Sequence, residues 1–445
     1  MRSSTVVRSL LVAASTALVV AAAPPVSAGA DPSSTSTSTT HGTVVPTGSP
    51  TATTVDGPCP HRVNTPPAID DSEVVAPGKT APAPLPVPSP AIGGERLGGC
   101  GVVADPAAGP VPRKLTSKGW LIADLDTGTV IAAQDPHGRY RPASTIKILL
   151  ALVALDELDL KDRVVATVDD WSMEGDACGL GPGGRYTVDD MITGLLVVSG
   201  NDCANALSRE LGGYQQTLDK MNAKAKELGA LDTRAATPSG LDSAGMSTSP
   251  YDLAVLFRAG MQNDDFRRMT GLATYKFPGY PPRKDVPGDT AHPGYMMATS
   301  NTLLRDGVPG MTILGGKTGF TDDAKKTFVG AAEKDGRQVL IVQMFGLNEQ
   351  DNSYHQQAVR MFKYGFAAPA SVEVGTLNAE AEETTTAAPA EEEDRSADPR
   401  AADTGSDSLA LGALPLTLIV VAALAVAATV LFRVRRRRRS AEDDE

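Results

Sequence analysis

Residues 141–158 read RPASTIKILLALVALDEL, and this stretch decides what the rest of the chain can be. From Ile146 to Leu158 it is strongly apolar, without Pro or Gly, and too long for a strand. That predicts a buried helix. Ser144 stands at its mouth and Lys147 follows three residues later, a spacing that puts both side chains on one helical face. A serine hydroxyl attacks a carbonyl only with a base beside it, and a lysine serves if its pKa is pulled down. Burial and a second nearby cation both act in that direction. Backbone N–H groups at the helix start face the negative charge that develops during such an attack. The same residues also read as an N-cap serine beside a surface lysine, because about one chance S-x-x-K is expected in a chain this long.

On either side of this helix the pattern changes. Gly119–Asp124, then Asp126-Thr127-Gly128, then Val130-Ile131-Ala132 read as strand, tight turn, strand. Downstream, helices are predicted from Val188 to Val198, Asp202 to Leu211, Gln215 to Leu228 and Pro250 to Met261. Thr312–Leu314, Thr327–Ala332 and Gln338–Phe345 then read as strands, with Asp335-Gly336 as a hairpin turn between the last two. Strands at both ends with helices between them predict an α/β chain: a sheet assembled from distant pieces, plus a helical lobe.

Two further motifs carry chemistry. Ser199-Gly200-Asn201 falls at a break between two helices, where a hydroxyl and an amide can relay a proton and hold a substrate amide. Taken alone it reads first as an ordinary Ser/Gly/Asn helix-to-helix turn. Lys317-Thr318-Gly319 follows a predicted strand; a lysine and a hydroxyl there suit a carboxylate, and glycine lets a ligand backbone come close. Its plainer reading is a strand-end turn with a solvated lysine. Other chemistries lack their residues. No H-E-x-x-H motif or His/Cys cluster points to a metal, and no G-x-S-x-G elbow is present. His41, His61, His137, His292 and His355 are scattered and read as surface or core residues. Gly310 to Thr318 approaches a phosphate loop, but its first glycine is one residue too far from Gly316-Lys317-Thr318.

In order and together, the three motifs resemble the S-x-x-K, S-x-N and K-T-G set of the low-molecular-mass penicillin-binding proteins that are D-alanyl-D-alanine carboxypeptidases. Their neighbours are similar too: Arg141-Pro142-Ala143 before Ser144, Val198 and Asp202 around the second motif, Ser300-Asn301-Thr302-Leu303-Leu304, and Phe320-Thr321 after the third. The resemblance implies a β-lactamase/transpeptidase-like fold, an antiparallel sheet flanked by helices plus an all-helical lobe, with the site between them. It implies no cofactor. It casts Ser144 as nucleophile, Lys147 as its base and Ser199 as proton relay to the departing D-alanine. Asn201 would orient Lys147 and the substrate amide. Lys317 and Thr318 would hold the terminal carboxylate beside Gly319, and the backbone N–H groups of Ser144 and Phe320 would form the oxyanion hole. The implied partners are peptidoglycan stem peptides, with β-lactam antibiotics as inhibitors. Two features depart from the family's pattern. An acidic stretch takes the place of the β-rich domain that often follows, and Asp322-Asp323-Ala324-Lys325-Lys326 stands where an Ala-Gly pair is common. A DD-endopeptidase shares the motifs; a β-lactamase would want a Glu-x-x-Leu-Asn segment that is missing; an inactive wall-binding module would not need all three.

Around the catalytic stretch, 113–368, the ends read differently. Residues 1–28 resemble a secretory signal, with Arg2 and Arg8, the apolar run Leu10–Ala23 and the small-residue site Val26-Ser27-Ala28. Residues 29–112 are Ser/Thr/Pro-rich and predicted mostly extended. Residues 369–408 predict an acidic, disordered stalk. Residues 409–432 are long and apolar enough for a transmembrane helix, and Arg435–Arg439 in the tail 433–445 would stay in the cytoplasm. A single-pass chain with its catalytic part on the cell-wall side follows. The net charge of −12 argues against nucleic acid. In that oxidising compartment a Cys59/Cys100 bridge is reasonable, and so is a bridge between Cys178 and Cys203, which bracket the middle motif. Two buried thiols are the alternative for the latter pair.

Overall fold

The structure, a computed structural model, describes residues 59–378. The signal, most of the stalk, the apolar run 409–432 and the tail lie outside these residues. Among the described residues, no helix is long and apolar enough to cross a membrane.

The strands are β1 (Val102–Ala104), β2 (Gly119–Asp124), β3 (Thr129–Gln134), β4 (Arg163–Val165), β5 (Arg185–Thr187), β6 (Thr274–Phe277), β7 (Tyr295–Ala298), β8 (Thr312–Thr321), β9 (Lys325–Lys334), β10 (Arg337–Gly346) and β11 (Gly375–Thr376). The main sheet runs β1-β3-β2-β10-β9-β8, with β11 also on β3, and every pairing in it is antiparallel. Alternation along its strands buries both faces. Leu121 and Ala123 of β2 join Leu340 and Val342 of β10 in one core, while Trp120, Ile122, Val339 and Ile341 point into a second.

The helices are α1 (Lys147–Glu157), α2 (Val168–Trp171), α3 (Val188–Val197), α4 (Asn201–Glu210), α5 (Tyr214–Glu227), α6 (Pro250–Met261), α7 (Asp264–Thr270), α8 (Thr302–Asp306) and α9 (Tyr354–Ala367). α1 is apolar nearly all round and buried from Lys147 to Ala154, as such a helix must be. It joins α3 and α6 in the first core. α3 begins with a reciprocal cap between Thr187 and Asp190. α9, which the sequence reading missed, covers the second face with Ala358, Met361 and Phe362. Its polar residues dilute the apolar stripe, although the Ser353/Gln356 capping box marks its start.

Two expectations are corrected. The strand predicted at Thr312–Leu314 continues to Thr321, so Lys317-Thr318-Gly319 lies inside β8 and not after it. A Gly-rich run has little strand propensity of its own; pairing with β9, Lys317 opposite Val329 and Thr318 opposite Phe328, imposes it. Residues 369–378 are not stalk. Val372, Val374 and Leu377 are buried, and β11 pairs with β3. Three apolar side chains are enough to dock a stretch whose composition otherwise fades into acidic sequence.

Candidate active site

Ser144 sits on a 3-10 turn, Ala143–Ile146, that runs directly into α1 at Lys147. The turn opens with Ala143 in the left-handed region at φ 48°, a sparsely populated conformation for alanine. Lys147 is fully buried. Its Nζ lies 2.8 Å from Ser144 Oγ, 2.7 Å from Asn201 Oδ1 and 2.5 Å from the Ser239 carbonyl oxygen. Burial, with the Lys317 cation beside it, holds this amine well below the ordinary lysine range, against the pull of Asp176 and Asp202. A neutral amine keeps two N–H donors, which Asn201 and Ser239 accept. Its lone pair is then left facing Ser144 Oγ.

The second motif is the α3–α4 junction. Ser199 turns the chain at φ 67° and is buried. Asn201 opens α4 and is held on both sides: its backbone N–H donates to the Asp176 carbonyl at 2.6 Å, and its Nδ2 donates to the Glu174 carbonyl at 2.6 Å. Cys178 and Cys203 are joined in a disulfide across this loop, as are Cys59 and Cys100 in the N-terminal segment. Beneath the junction, the buried Asp202 carboxylate accepts the backbone N–H groups of Cys178, Gly179, Leu180 and Cys203 at 2.8 to 2.9 Å.

The third motif forms the opposite wall. Lys317, also buried, donates to Ser199 Oγ at 3.0 Å and to the Thr318 carbonyl at 2.8 Å. Burial pushes its amine down to about 7. Thr318 Oγ1 is 3.0 Å from Ser300 Oγ, so two hydroxyls meet beside the strand. Gly319 has a packing reason: a Cβ there would stand 2.9 Å from the Ser144 amide nitrogen and 2.4 Å from Thr327 Oγ1. Phe320 is exposed, with the Lys326 ammonium 5.2 Å from its ring centre. A cleft of roughly 620 Å³ opens over Ser144, Ser199, Asn201, Thr318, Gly319 and Phe320.

The eight residues singled out from the three motifs thus converge, with Lys147 and Lys317 under the cleft floor. Sequence reasoning missed Ser239, which acts through a carbonyl and leaves no side-chain signal. It missed Asp176, whose neighbourhood to both lysines is purely tertiary. Ser300 lies in a flanking run similar to the family's, and its sequence context alone assigns it no role. Of the scattered histidines, His355 lines the cleft and His137 is buried on Asp232.

Comparison with known proteins identifies the family. The sequence profile of the D-alanyl-D-alanine carboxypeptidases matches residues 106–347. The chain belongs to this family. It is therefore a hydrolase of the serine carboxypeptidase kind. The D-alanyl-D-alanine carboxypeptidase DacB2 of Mycobacterium tuberculosis is 46% identical over 58% of this chain and 85% of its own length. DacF of Bacillus subtilis is 29% identical over 56% of this chain and 62% of its own. Among solved structures, a D-alanyl-D-alanine carboxypeptidase from Mycobacterium tuberculosis superposes with a TM-score of 0.55 at 43% identity, covering 60% of this chain and 97% of that one. The DD-transpeptidase of Streptomyces K15 shares the fold at 24% identity, with a TM-score of 0.51 over 58% of this chain and 99% of its own.

Proposed function

We propose that this family member removes the terminal D-alanine from peptidoglycan stem peptides through an acyl-enzyme on Ser144. The observation that carries the assignment is Lys147 Nζ, fully buried and 2.8 Å from Ser144 Oγ. Ser144 Oγ bonds to the carbonyl carbon between the two D-alanines while its proton passes to Lys147 Nζ. The backbone N–H groups of Ser144 and Phe320 receive the oxyanion. The C–N bond then breaks, and the proton taken up by Lys147 passes through Ser199 Oγ to the leaving amine. Asn201 holds Lys147 and the substrate amide in place. Lys317 and Thr318, with Ser300 beside them, receive the substrate carboxylate. Water hydrolyses the ester and returns Ser144. A β-lactam enters the same path and remains on Ser144 as a slowly hydrolysed ester.

The test is D-alanine release from a pentapeptide ending in D-Ala-D-Ala, comparing residues 29–405 with the same chain carrying Ser144→Ala. Release by the first and none by the second is expected. No release from either would sink the carboxypeptidase reading, and penicillin labelling of Ser144 would then separate an endopeptidase or β-lactamase from an inactive wall-binding module. We further infer that the chain is exported by residues 1–28 and held at the membrane by residues 409–432, with the catalytic unit facing the wall. The full chain should sediment with membranes and a chain ending at 405 should not.

A further inference from the structure

The oxyanion hole in this reading is built from two pieces of chain distant in sequence, the Ser144 turn and the end of β8. Their spacing sets where the two donors point. Inside the fold they touch where Gly319 lies against the Ser144 amide, and Thr327 of β9, paired with Gly319, adds a bond from its Oγ1 to the Pro142 carbonyl at 2.9 Å. A second connection crosses on the outside, through the N-terminal segment. Arg141, three residues before Ser144, donates through Nε at 2.5 Å and Nη2 at 2.8 Å to the two oxygens of Glu73, and through Nη1 to the Pro66 carbonyl at 2.8 Å. Asp323, three residues after Phe320, accepts the Ile69 N–H at 2.6 Å on one oxygen and faces Ser72 Oγ at 3.4 Å with the other. Both core residues are nearly inaccessible, Arg141 1% and Asp323 2% exposed.

We propose that residues 66–73 clamp the oxyanion hole, with Glu73 gripping the nucleophile side through Arg141 and Ile69–Ser72 gripping the substrate-strand side through Asp323. Glu73, Arg141 and Asp323 are positioning residues; none touches the reacting atoms. The grip suits the task. A bidentate guanidinium–carboxylate pair fixes orientation as well as distance, and a buried charge left without its partner is strongly unfavourable, so the strap is not readily released. The strap is anchored beyond the clamp as well. Arg139 donates to the carbonyls of Val63, Leu85 and Pro86, and the Cys59–Cys100 disulfide closes the segment on itself. Oxyanion stabilisation depends on donors held in place before the charge develops, and a misplacement near 1 Å lowers rates by about a hundredfold.

This proposal rests on the acyl-transfer reading above, so its test uses two readouts. The full chain in detergent, Glu73→Ala, Asp323→Ala and the double variant are compared for kcat and KM of D-alanine release and for the second-order rate of acylation by a fluorescent penicillin. All rates are expressed per site that titrates with the penicillin. Loss of folded protein lowers the number of titrating sites and leaves the rate per site alone. Each single variant should lower kcat and acylation per site by about tenfold or more, with KM within about twofold. The double should be no slower than the slower single, because a clamp released at one end has nothing left to lose at the other. Unchanged rates per site in the singles, or losses that multiply in the double, would overturn the clamp while leaving the parent reading intact. A wild type that takes up penicillin but releases no D-alanine counts against the carboxypeptidase reading alone, and acylation still reports on the clamp. A wild type that does neither overturns both.

Discussion

Two buried lysines dominate the site, and they cannot easily both be charged. Lys147 must be neutral to take the Ser144 proton, and the Lys317 cation is one of the two causes that depress it. Replacing Lys317 with Met removes that cation, so Lys147 should hold its proton to higher pH. The acid limb of penicillin acylation, followed from about pH 5 to about pH 10, should move upward in Lys317→Met; a limb that stays or moves down would contradict the coupling. Stability carries the same sign. Lys317 titrates near 7 in the folded chain against 10.5 for a free lysine, so between those values the unfolded chain binds the extra proton. Stability therefore rises with pH across that window and bears the full burial cost below it. Lys317→Met should flatten the rise in urea midpoint. The sequence offered both lysines by spacing and composition. It could not offer their mutual effect, because residues 147 and 317 meet only in three dimensions.

At the scale of elements, the α3–α4 junction decides where Ser199 and Asn201 stand. Two devices hold the loop that supports it. One is the Cys178–Cys203 disulfide, which closes 25 residues and contributes about 3 kcal/mol. The other is the Asp202 carboxylate with its four backbone N–H partners. Buried donors left unpaired cost about 1–3 kcal/mol each. Asp202→Ala should therefore lower the urea midpoint more than the paired replacement of both cysteines by Ala. A smaller loss in Asp202→Ala would mean that water or a shifted loop replaces the carboxylate. Helix periodicity made α1, α3, α4, α5 and α6 legible to within a residue or two, and turn residues did the same for β2, β3, β9 and β10, whereas short elements such as α2, α7, α8 and β4 to β7 carried no readable pattern. The Gly-rich half of β8 was not legible, since its strand state comes from β9. The mixed-polarity α9 was passed over although its cap was written in Ser353 and Gln356.

For the molecule as a whole, the folded unit is larger than the stretch that resembles the family. At one end the Ser/Thr/Pro-rich segment supplies acceptors to Arg139 and Arg141. At the other, Tyr251 donates to the Thr376 carbonyl and Arg258 to Asn378 Oδ1. A chain stopped at 368 loses β11 and the burial of Val372, Val374 and Leu377, each worth about 1.5–3 kcal/mol. It should melt clearly lower than a chain stopped at 380, and equal melting temperatures would return residues 369–378 to the stalk. The sequence by itself determined the fold class, and through its resemblance to the family it implied the reaction and proposed which residues carry it. Hydrophobic periodicity is local, and the three motifs, each ordinary alone, resemble the family's set when taken together and in order. Only the tertiary structure decided which carbonyls hold Lys147, that Asp176 lies near both lysines, and that a segment of low-complexity composition bonds to both Arg141 and Asp323. Those are contacts between residues tens to hundreds of positions apart, made through backbone oxygens and buried charges that no local pattern records.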